Sequence, residues 1–274
     1  MFGVFVRSVG ERTEGLCYES CRAGIPAADI TVIRNVFPAH RAFERMFQQA
    51  RDRRYDWFLG LDADIVLKPD WFDIAQKKKE QMQGADWYVF TFCVEDKFLG
   101  AIDRGNHFYN GRYAGDSLRV LRTRTRHMLK PESKIRHYVA APNAHFNDIL
   151  IGYHGYEQFL GDIFYRFWLQ AQRDPSLEKK HPFLKAARTA SPGDDPDVAV
   201  ARQGWQAGKQ QTPPIARMMA KLGLRKAKVQ SDASLRSRLV RRHLPHMREK
   251  TPLSQSLERF VAASVDGGPA GRMP

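Results

Sequence analysis

The chain lacks any run of apolar residues that could cross a membrane. A membrane-spanning helix needs about 20 consecutive apolar residues, and no such run occurs in the 274 residues. The first residues also lack a basic segment followed by a long apolar one, so we expect no secretory signal peptide. Hydrophobic residues nevertheless make up 43% of the chain, enough for one sizeable core. We therefore expect a globular cytoplasmic protein.

Cysteine is scarce, with only Cys17, Cys21 and Cys93 in the chain. So few cysteines do not suggest a disulfide framework. Cys17 and Cys21 could share one face of a helix, but no second Cys or His pair completes a zinc site. We expect three reduced thiols. The chain also has no internal repeat and no nucleic-acid-binding motif, so we expect no specific nucleic-acid partner.

Acidic residues are in deficit, and the net charge is +14. Residues 171–274 hold 20 Lys and Arg against 9 Asp and Glu, whereas residues 1–170 hold 24 against 21. The C-terminal surplus favours contact with an anionic membrane surface, acidic polymer or nucleic acid. We expect a solvated or partly disordered tail. The alternative is peripheral contact with the inner membrane face through residues 215–244, since the arginines within residues 235–244 would suit a helix lying on anionic lipid.

Strand and helix patterns alternate along the first half of the chain. The βαβ rhythm predicts an α/β three-layer sandwich with a mostly parallel central sheet. We divide the chain into a domain of residues 1–172 and a basic, α-helical or partly disordered extension of residues 173–274, in which residues 191–197 form an exposed linker. The predicted strands are residues 2–6, 30–33, 57–61, 87–93 and 117–121, and the predicted helices are residues 13–22, 43–50, 69–79, 159–168, 215–224 and 235–244.

An apolar strand, residues 57–61, ends in Asp62-Ala63-Asp64. If the extended backbone continues, the side chains of Asp62 and Asp64 point to the same face. Two such carboxylates can hold Mg²⁺ or Mn²⁺, and Mg²⁺ is usually bound by one or two carboxylates together with substrate phosphates. The alternative is that both residues only shape a turn, where Asp is common.

This order of elements, with the acids followed by a short apolar segment and Pro69-Asp70, resembles the GT-A fold nucleotide-sugar glycosyltransferases. The resemblance is to the bacterial family-2-like group and covers about residues 1–170. It implies a Rossmann-like fold and a metal-dependent enzyme. Such an enzyme moves a sugar from a nucleotide diphosphate donor to a hydroxyl of a carbohydrate or lipid-linked acceptor.

The resemblance also implies a set of metal ligands. Asp64 would bind the cation directly, and Asp62 would contact it through water or bind the donor ribose. His154 would be a third ligand, with His145 as the competing candidate. Imidazole suits Mn²⁺ better than Mg²⁺, so Mn²⁺ is the expected cofactor and Mg²⁺ the alternative. Either histidine could instead be structural.

The resemblance extends to the nucleotide, the catalytic base and the acceptor. Glu157 is the first candidate for the catalytic base by its position, and Asp162 is the second. The Glu-Asp pair of inverting enzymes is replaced here by Glu157-Gln158. Whether the enzyme retains or inverts the configuration of the sugar therefore stays open. Asp116 and the rings of Tyr109 or Tyr113 are candidates for acceptor contact. The expected nucleotide-binding residues are Arg7, Ser8, Arg12, Arg34, Asn35 and Asp62.

Two other functions remain open at this stage. A nucleotidyltransferase acting on a sugar phosphate would also hold a nucleotide and a metal on an α/β sheet, but it usually has a glycine-rich phosphate loop near its first strand. The segment Val9-Gly10-Glu11 offers little of that kind. A non-catalytic protein could instead bind an anionic polymer through its basic tail, with an affinity that falls steeply with salt.

Overall fold

The computed structural model describes residues 1–26, 29–36, 39–102, 105–124, 131–139, 141–173 and 196–211. The helices predicted at residues 215–224 and 235–244, and the predicted linker up to residue 195, lie outside the described residues. Within these ranges, no helix is long and apolar enough to span a bilayer.

Eight strands form one sheet in the described part of the chain. Their bounds are β1 (Phe2–Ser8), β2 (Ile30–Arg34), β3 (Trp57–Asp62), β4 (Ile65–Leu67), β5 (Val89–Asp96), β6 (Gly100–Ile102), β7 (Asn106–Asn110) and β8 (Asn143–His154). The helices are α1 (Glu14–Arg22), α2 (Ala39–Asp52), α3 (Trp71–Gln81), α4 (Ala114–Arg124), α5 (Pro131–Tyr138), α6 (Leu160–Arg173) and α7 (Pro196–Gln211).

The sheet has the strand order β2-β1-β3-β7-β5-β8-β4, with β6 beside β5. Strand β1 is parallel to β2 and β3, and β5 is parallel to β8. Strand β7 is antiparallel to both β3 and β5. The α/β class is therefore confirmed, but the sheet is mixed: helices α1 and α2 provide the long crossovers that parallel pairs need, whereas β5, β6 and β7 follow each other through short connections.

Helices cover both faces of the sheet. Cys17 and Cys21 of α1 and Trp71 of α3 pack against one face. Phe43 of α2 and Leu118 of α4 pack against the other. Because both faces are covered, the central strands are apolar on both sides, and this explains the uninterrupted apolar run of β3.

The strand predicted at residues 117–121 is wrong, because these residues lie in α4. Ala114, Ser117, Leu118 and Leu121 are buried, with the three- and four-residue spacing of one helix face. A five-residue apolar segment is too short to separate that spacing from the alternation of a strand. Asp116 consequently lies on α4 and not at the start of a strand, and its carboxylate accepts a hydrogen bond from Arg119 at the surface.

Helix α7 packs closely against α6. A Cβ atom at Gly204 would overlap the carbonyl oxygen of Phe164, and one at Gly208 would overlap that of Trp168, so small residues allow the two backbones to approach. The prediction that residues 191–197 are an exposed linker is wrong at its end, because Pro196 begins α7 and Asp197 is buried. Proline suits the first position of a helix, where its missing N–H is not needed. The division of the chain at residue 172 stays a prediction.

Candidate functional site

Two neighbouring parallel strands, β1 and β3, end at the same edge of the sheet, where ligands bind in open α/β folds. Strand β3 ends at Asp62, and Ala63 and Asp64 form the turn that leads into β4. The extended geometry expected for both acids therefore does not continue to Asp64. The turn is fixed on both sides, because the Ala63 amide donates to the Arg7 carbonyl (3.0 Å) and Thr13 Oγ1 donates to the Ala63 carbonyl (2.7 Å).

The side chain of Asp62 pairs with Arg7. Arg7 Nη2 and Nε donate to Asp62 Oδ1 at 2.7 Å and 3.2 Å. The guanidinium is buried, lies 4.2 Å from the ring centroid of Phe43 and donates from Nη1 to Met46 Sδ. Arg7 thus orients Asp62 from beneath, and the Asp62 carboxylate remains about half exposed, at 47%.

The side chain of Asp64 belongs to a chain of charged groups drawn from three other elements. His154 Nε2 lies 3.0 Å from Asp64 Oδ2, and His154 Nδ1 lies 2.5 Å from Asp96 Oδ2. Arg166 Nη2 donates to the same Asp96 oxygen at 2.6 Å. Strand register produces this arrangement, because Asp96 of β5 and Ile65 of β4 both pair with His154 of β8.

The charged groups on either side of His154 stabilise one another's ionised forms. Burial alone would lower the pKa of His154, but Asp64 and Asp96 on either side of the ring raise it to about 10. Burial would raise the pKa of both carboxyls, but His154 and Arg166 outweigh it and lower the pKa of each below its usual range. In the protein alone, a cationic imidazole therefore lies between two carboxylates.

Several buried polar atoms of Asp64, of the segment after β8 and of α6 have no hydrogen-bond partner among the described residues. They are Asp64 Oδ1, Glu157 Oε2, Gln158 Oε1 and Arg166 Nη1. Most buried polar atoms in native proteins are hydrogen-bonded, so their concentration beside one turn is unusual. A ligand that carries both hydrogen-bond donors and acceptors would satisfy them.

The segment between β8 and α6, which contains Glu157, contacts Asp64 through two other residues. Gln158 Nε2 donates to Asp64 Oδ2 at 3.1 Å, and the Gly155 amide donates to the Asp64 carbonyl at 3.1 Å. The intervening Glu157 is buried and its Oε2 lies 3.9 Å from Arg12 Nη1. Asp162 lies in the first turn of α6.

The other predicted nucleotide-binding residues have local partners. Ser8 Oγ donates to Glu11 Oε2 at 2.9 Å. Arg34 is exposed and pairs with Glu14 on α1 at 2.7 Å. Asn35 follows β2 with a positive φ of 53°. Arg12 Nη1 lies 3.9 Å from Glu157 Oε2, in the segment after β8 that also contacts Asp64.

The positions of the candidate histidines and tyrosines show which of them lie near Asp64. His145 lies near the start of β8, is exposed, and its Nδ1 is 2.8 Å from Thr91 Oγ1. His154, at the other end of β8, is the histidine beside Asp64. The Tyr109 ring is 1% exposed within the core, so the prediction that it contacts the acceptor is wrong. Tyr113 Oη donates to Asp86 Oδ1 at 2.5 Å.

A divalent cation fits the donors at Asp64. Asp64 Oδ1 is buried without a hydrogen-bond partner among the described residues. Asp64 Oδ2 and His154 Nε2 are 3.0 Å apart, which matches two neighbouring ligands placed about 2.1 Å from one octahedral ion. The hydrogen bond from His154 Nδ1 to Asp96 is the second contact that metal-bound histidines commonly make.

The described residues contain no group of three or more His, Cys, Asp or Glu side chains arranged to hold a metal. Asp64 and His154 would therefore supply two protein ligands, and phosphate oxygens or water would supply the rest, as is usual for Mg²⁺. The predicted ligand role of Asp62 stays a prediction.

Sequence reasoning missed Asp96, Arg166 and the role of Gln158. Asp96 ends an apolar strand, β5, just as Asp62 ends β3, so its position after Val94 and Glu95 was an available signal. Arg166 and Gln158 carry no such signal, because only the packing of α6 and the turn after β8 brings them to the carboxylates.

No protein-family model matches the chain, and no curated protein matches it. Among solved structures, the chain is similar to a glycosyltransferase involved in glycosylation of the major capsid of PBCV-1, with 12% identity over 56% of this chain and 92% of that one and a TM-score of 0.39. It is also similar to S. aureus TarS 1–349, with 10% identity over 80% of this chain and 82% of that one and a TM-score of 0.44. At such TM-scores these likenesses concern the general fold and carry no weight for function.

Proposed function

We propose that the protein is a glycosyltransferase that moves a sugar from a nucleotide diphosphate donor to an acceptor hydroxyl, with a divalent cation, Mn²⁺ or Mg²⁺, bound by Asp64 and His154. The observation that carries this proposal is the meeting of Asp64 and His154 at the carboxyl edge of the sheet, beside buried polar atoms that lack partners among the described residues. The donor diphosphate would complete the coordination of the cation.

When bound, the cation would act as a Lewis acid that neutralises the charge developing on the departing diphosphate. The protein's own residues prepare this position. Asp96 and Arg166 fix the plane of the His154 ring, and Gln158 holds one oxygen of Asp64. Arg7 holds the Asp62 carboxylate so that its exposed side can accept hydrogen bonds from the donor ribose.

Glu157 is the proposed base for the acceptor hydroxyl. A general base must lie within reach of the reacting group, and Glu157 lies next to Gln158, whose amide contacts Asp64. Arg12 at 3.9 Å keeps a cation beside the Glu157 carboxylate. Asp162, in the first turn of α6, is the second candidate, because it lies four residues from Asp64's partner Gln158 in sequence.

The acceptor and the cellular location follow only from the sequence. A carbohydrate or lipid-linked acceptor, a cytoplasmic location and contact with an anionic membrane through residues 215–244 stay predictions, and the last concerns residues outside the described ones. A test is co-sedimentation of the full chain with vesicles of phosphatidylglycerol and with vesicles of phosphatidylcholine. Equal binding to both would contradict an electrostatic membrane contact.

Donor hydrolysis tests the proposed reaction. The full chain would be incubated with Mn²⁺ and a panel of nucleotide sugars, and the products separated by anion-exchange chromatography. We expect one donor to yield a nucleoside diphosphate, Asp64→Asn to abolish this release, and Glu19→Gln, at an exposed pair with Arg22 on α1, to retain it. In a parallel incubation with a nucleoside triphosphate and a sugar phosphate, release of pyrophosphate would instead identify a nucleotidyltransferase. Equal turnover by wild type and Asp64→Asn would reject the proposal.

A further inference from the structure

An ion pair joins the start of α7 to the residue that follows β5. Lys97 Nζ lies 2.6 Å from Asp197 Oδ2, and the Asp197 side chain is only 1% exposed. Burying a carboxylate this completely is costly unless it is paired. The contact spans 100 residues of sequence, so it is made only when α7 is docked.

Lys97 lies within the turn that shapes the Asp96 carboxylate. The amides of Phe98 and Leu99 both donate to Asp96 Oδ1 at 2.9 Å. The Lys97 amide donates to the carbonyl of His154 at 3.1 Å. Through its backbone, Lys97 therefore holds the two residues whose side chains form the hydrogen bond from His154 Nδ1 to Asp96.

Helix α7 reaches Asp96 by a second route, through α6. Gly204 and Gly208 lie against the carbonyls of Phe164 and Trp168, and these two residues flank Arg166 on α6. Arg166 in turn donates to Asp96 Oδ2. Displacement of α7 would therefore loosen two of the supports of the Asp96 carboxylate, the turn that contains Lys97 and the contact with Arg166.

We propose that α7 is a positioning element of the candidate site, in which Asp197 acts through Lys97 to hold Asp96 and so directs the His154 ring at Asp64. Asp197 is a positioning residue, because it acts on the site through Lys97. The functional meaning of this role rests on the proposed function, whereas the mechanical coupling between α7 and the site can be tested without it.

Amide hydrogen exchange on the full chain, read by mass spectrometry, tests the coupling. We expect Asp197→Asn to speed exchange about tenfold in residues 94–99 and 151–158, because local opening there no longer has to break the buried pair. Residues 30–34 of β2 should be unchanged. The matched control is Asp73→Asn, at an exposed carboxylate on α3, which should leave all three segments unchanged. Faster exchange confined to residues 196–211 would overturn the proposal.

A double-mutant cycle guards against a general loss of folding. Lys97→Met removes the other half of the pair, and the positioning role predicts that it speeds exchange in the same two segments. Because each single change already breaks the ion pair between Lys97 and Asp197, the double variant should exchange no faster than Asp197→Asn alone. Additive effects of the two changes would contradict a shared contact.

Steady-state kinetics separates this inference from the proposed function. If the wild type hydrolyses a nucleotide sugar, Asp197→Asn should lower kcat by about 10- to 100-fold, the usual effect of loosening a residue that orients a metal ligand. Asp197→Glu, which keeps the carboxylate, should recover most of it. If the wild type hydrolyses no donor, the proposed function fails, while the exchange result still decides whether α7 holds the site.

Discussion

His154 Nε2 and Asp64 Oδ2 lie 3.0 Å apart, although one residue ends β8 and the other lies in the turn after β3. The contact depends on the pairing of β4 with β8, which aligns Ile65 with His154. An imidazole and a carboxylate at this separation can share either a proton or a cation, and Asp64 Oδ1 still lacks a hydrogen-bond partner among the described residues. This pair is the centre of the proposed site.

The carboxylate of Asp96 should matter because it orients His154. We expect Asp96→Asn to lower donor hydrolysis by about 10- to 100-fold, since an amide accepts poorly from both His154 and Arg166. Initial rates at saturating donor would measure this. Glu80→Gln, on the exposed face of α3, is the control and should keep the wild-type rate. An unchanged rate in Asp96→Asn would show that the His154 ring needs no such support.

Arg7 should stabilise the fold through its contact with Asp62. We expect Arg7→Lys to lower the free energy of unfolding by about 1–3 kcal/mol, because lysine lacks the flat two-donor geometry that reaches Asp62 Oδ1 and covers Phe43. Urea denaturation would measure it. Arg41→Lys, at an exposed pair with Glu44, should change stability by less than about 0.5 kcal/mol. If Arg7→Lys and Arg41→Lys changed the free energy of unfolding by the same small amount, the buried contact of Arg7 with Asp62 would not stabilise the fold.

The close packing of α7 on α6 should depend on glycine. We expect Gly208→Ala to lower the free energy of unfolding by about 1–3 kcal/mol, because the added Cβ overlaps the Trp168 carbonyl oxygen. Gly115→Ala on α4, where the added Cβ meets no atom within 4 Å beyond its chain neighbours and its own helix backbone, should stabilise the protein by roughly 0.5–1 kcal/mol. Thermal and urea unfolding would compare the two. Stabilisation by both changes would show that the helices are not in tight contact.

His107 should make the fold less stable in acid. Burial, followed by the charges of Arg136, Arg7 and His145, lowers the pKa of His107 well below its usual value. The unfolded chain therefore binds a proton near pH 6.5 that the folded chain does not, so stability falls as pH decreases below that value, by at most about 1.4 kcal/mol per pH unit. His107→Phe keeps a ring against Tyr109 and should show a smaller loss between pH 7.5 and 5.5. The same loss in both proteins would contradict this assignment.

The sequence predicted those features that depend on local patterns. The apolar run of β3, the acids that follow it and the helical spacing of Phe43, Met46 and Phe47 all have local causes. The segment 117–121 was assigned wrongly because five residues do not distinguish a short buried helix from a strand. The Rossmann-like arrangement of β1, β2 and β3 was predictable from these local patterns. The position of β7, which lies between β3 and β5 and is antiparallel to both, was not.

Only part of the candidate site could be found in the same way. Asp62 and Asp64 are recognisable by spacing, and the resemblance indicated His154. The partners that orient them could not be predicted, because the register between β5 and β8 brings Asp96 to His154 and the docking of α6 brings Arg166 to Asp96. Asp197 illustrates the same limit, since a proline-rich, polar segment suggested a linker and the burial of its carboxylate depends on Lys97.

The most direct test of the central claim is a crystal structure of the full chain grown with MnCl₂ and a nucleoside diphosphate, with anomalous data collected at the manganese absorption edge. We predict an anomalous peak within about 2.5 Å of both an Asp64 carboxylate oxygen and His154 Nε2, with diphosphate oxygens completing the coordination. A bound diphosphate with no manganese at Asp64, or a manganese ion held elsewhere, would contradict the account.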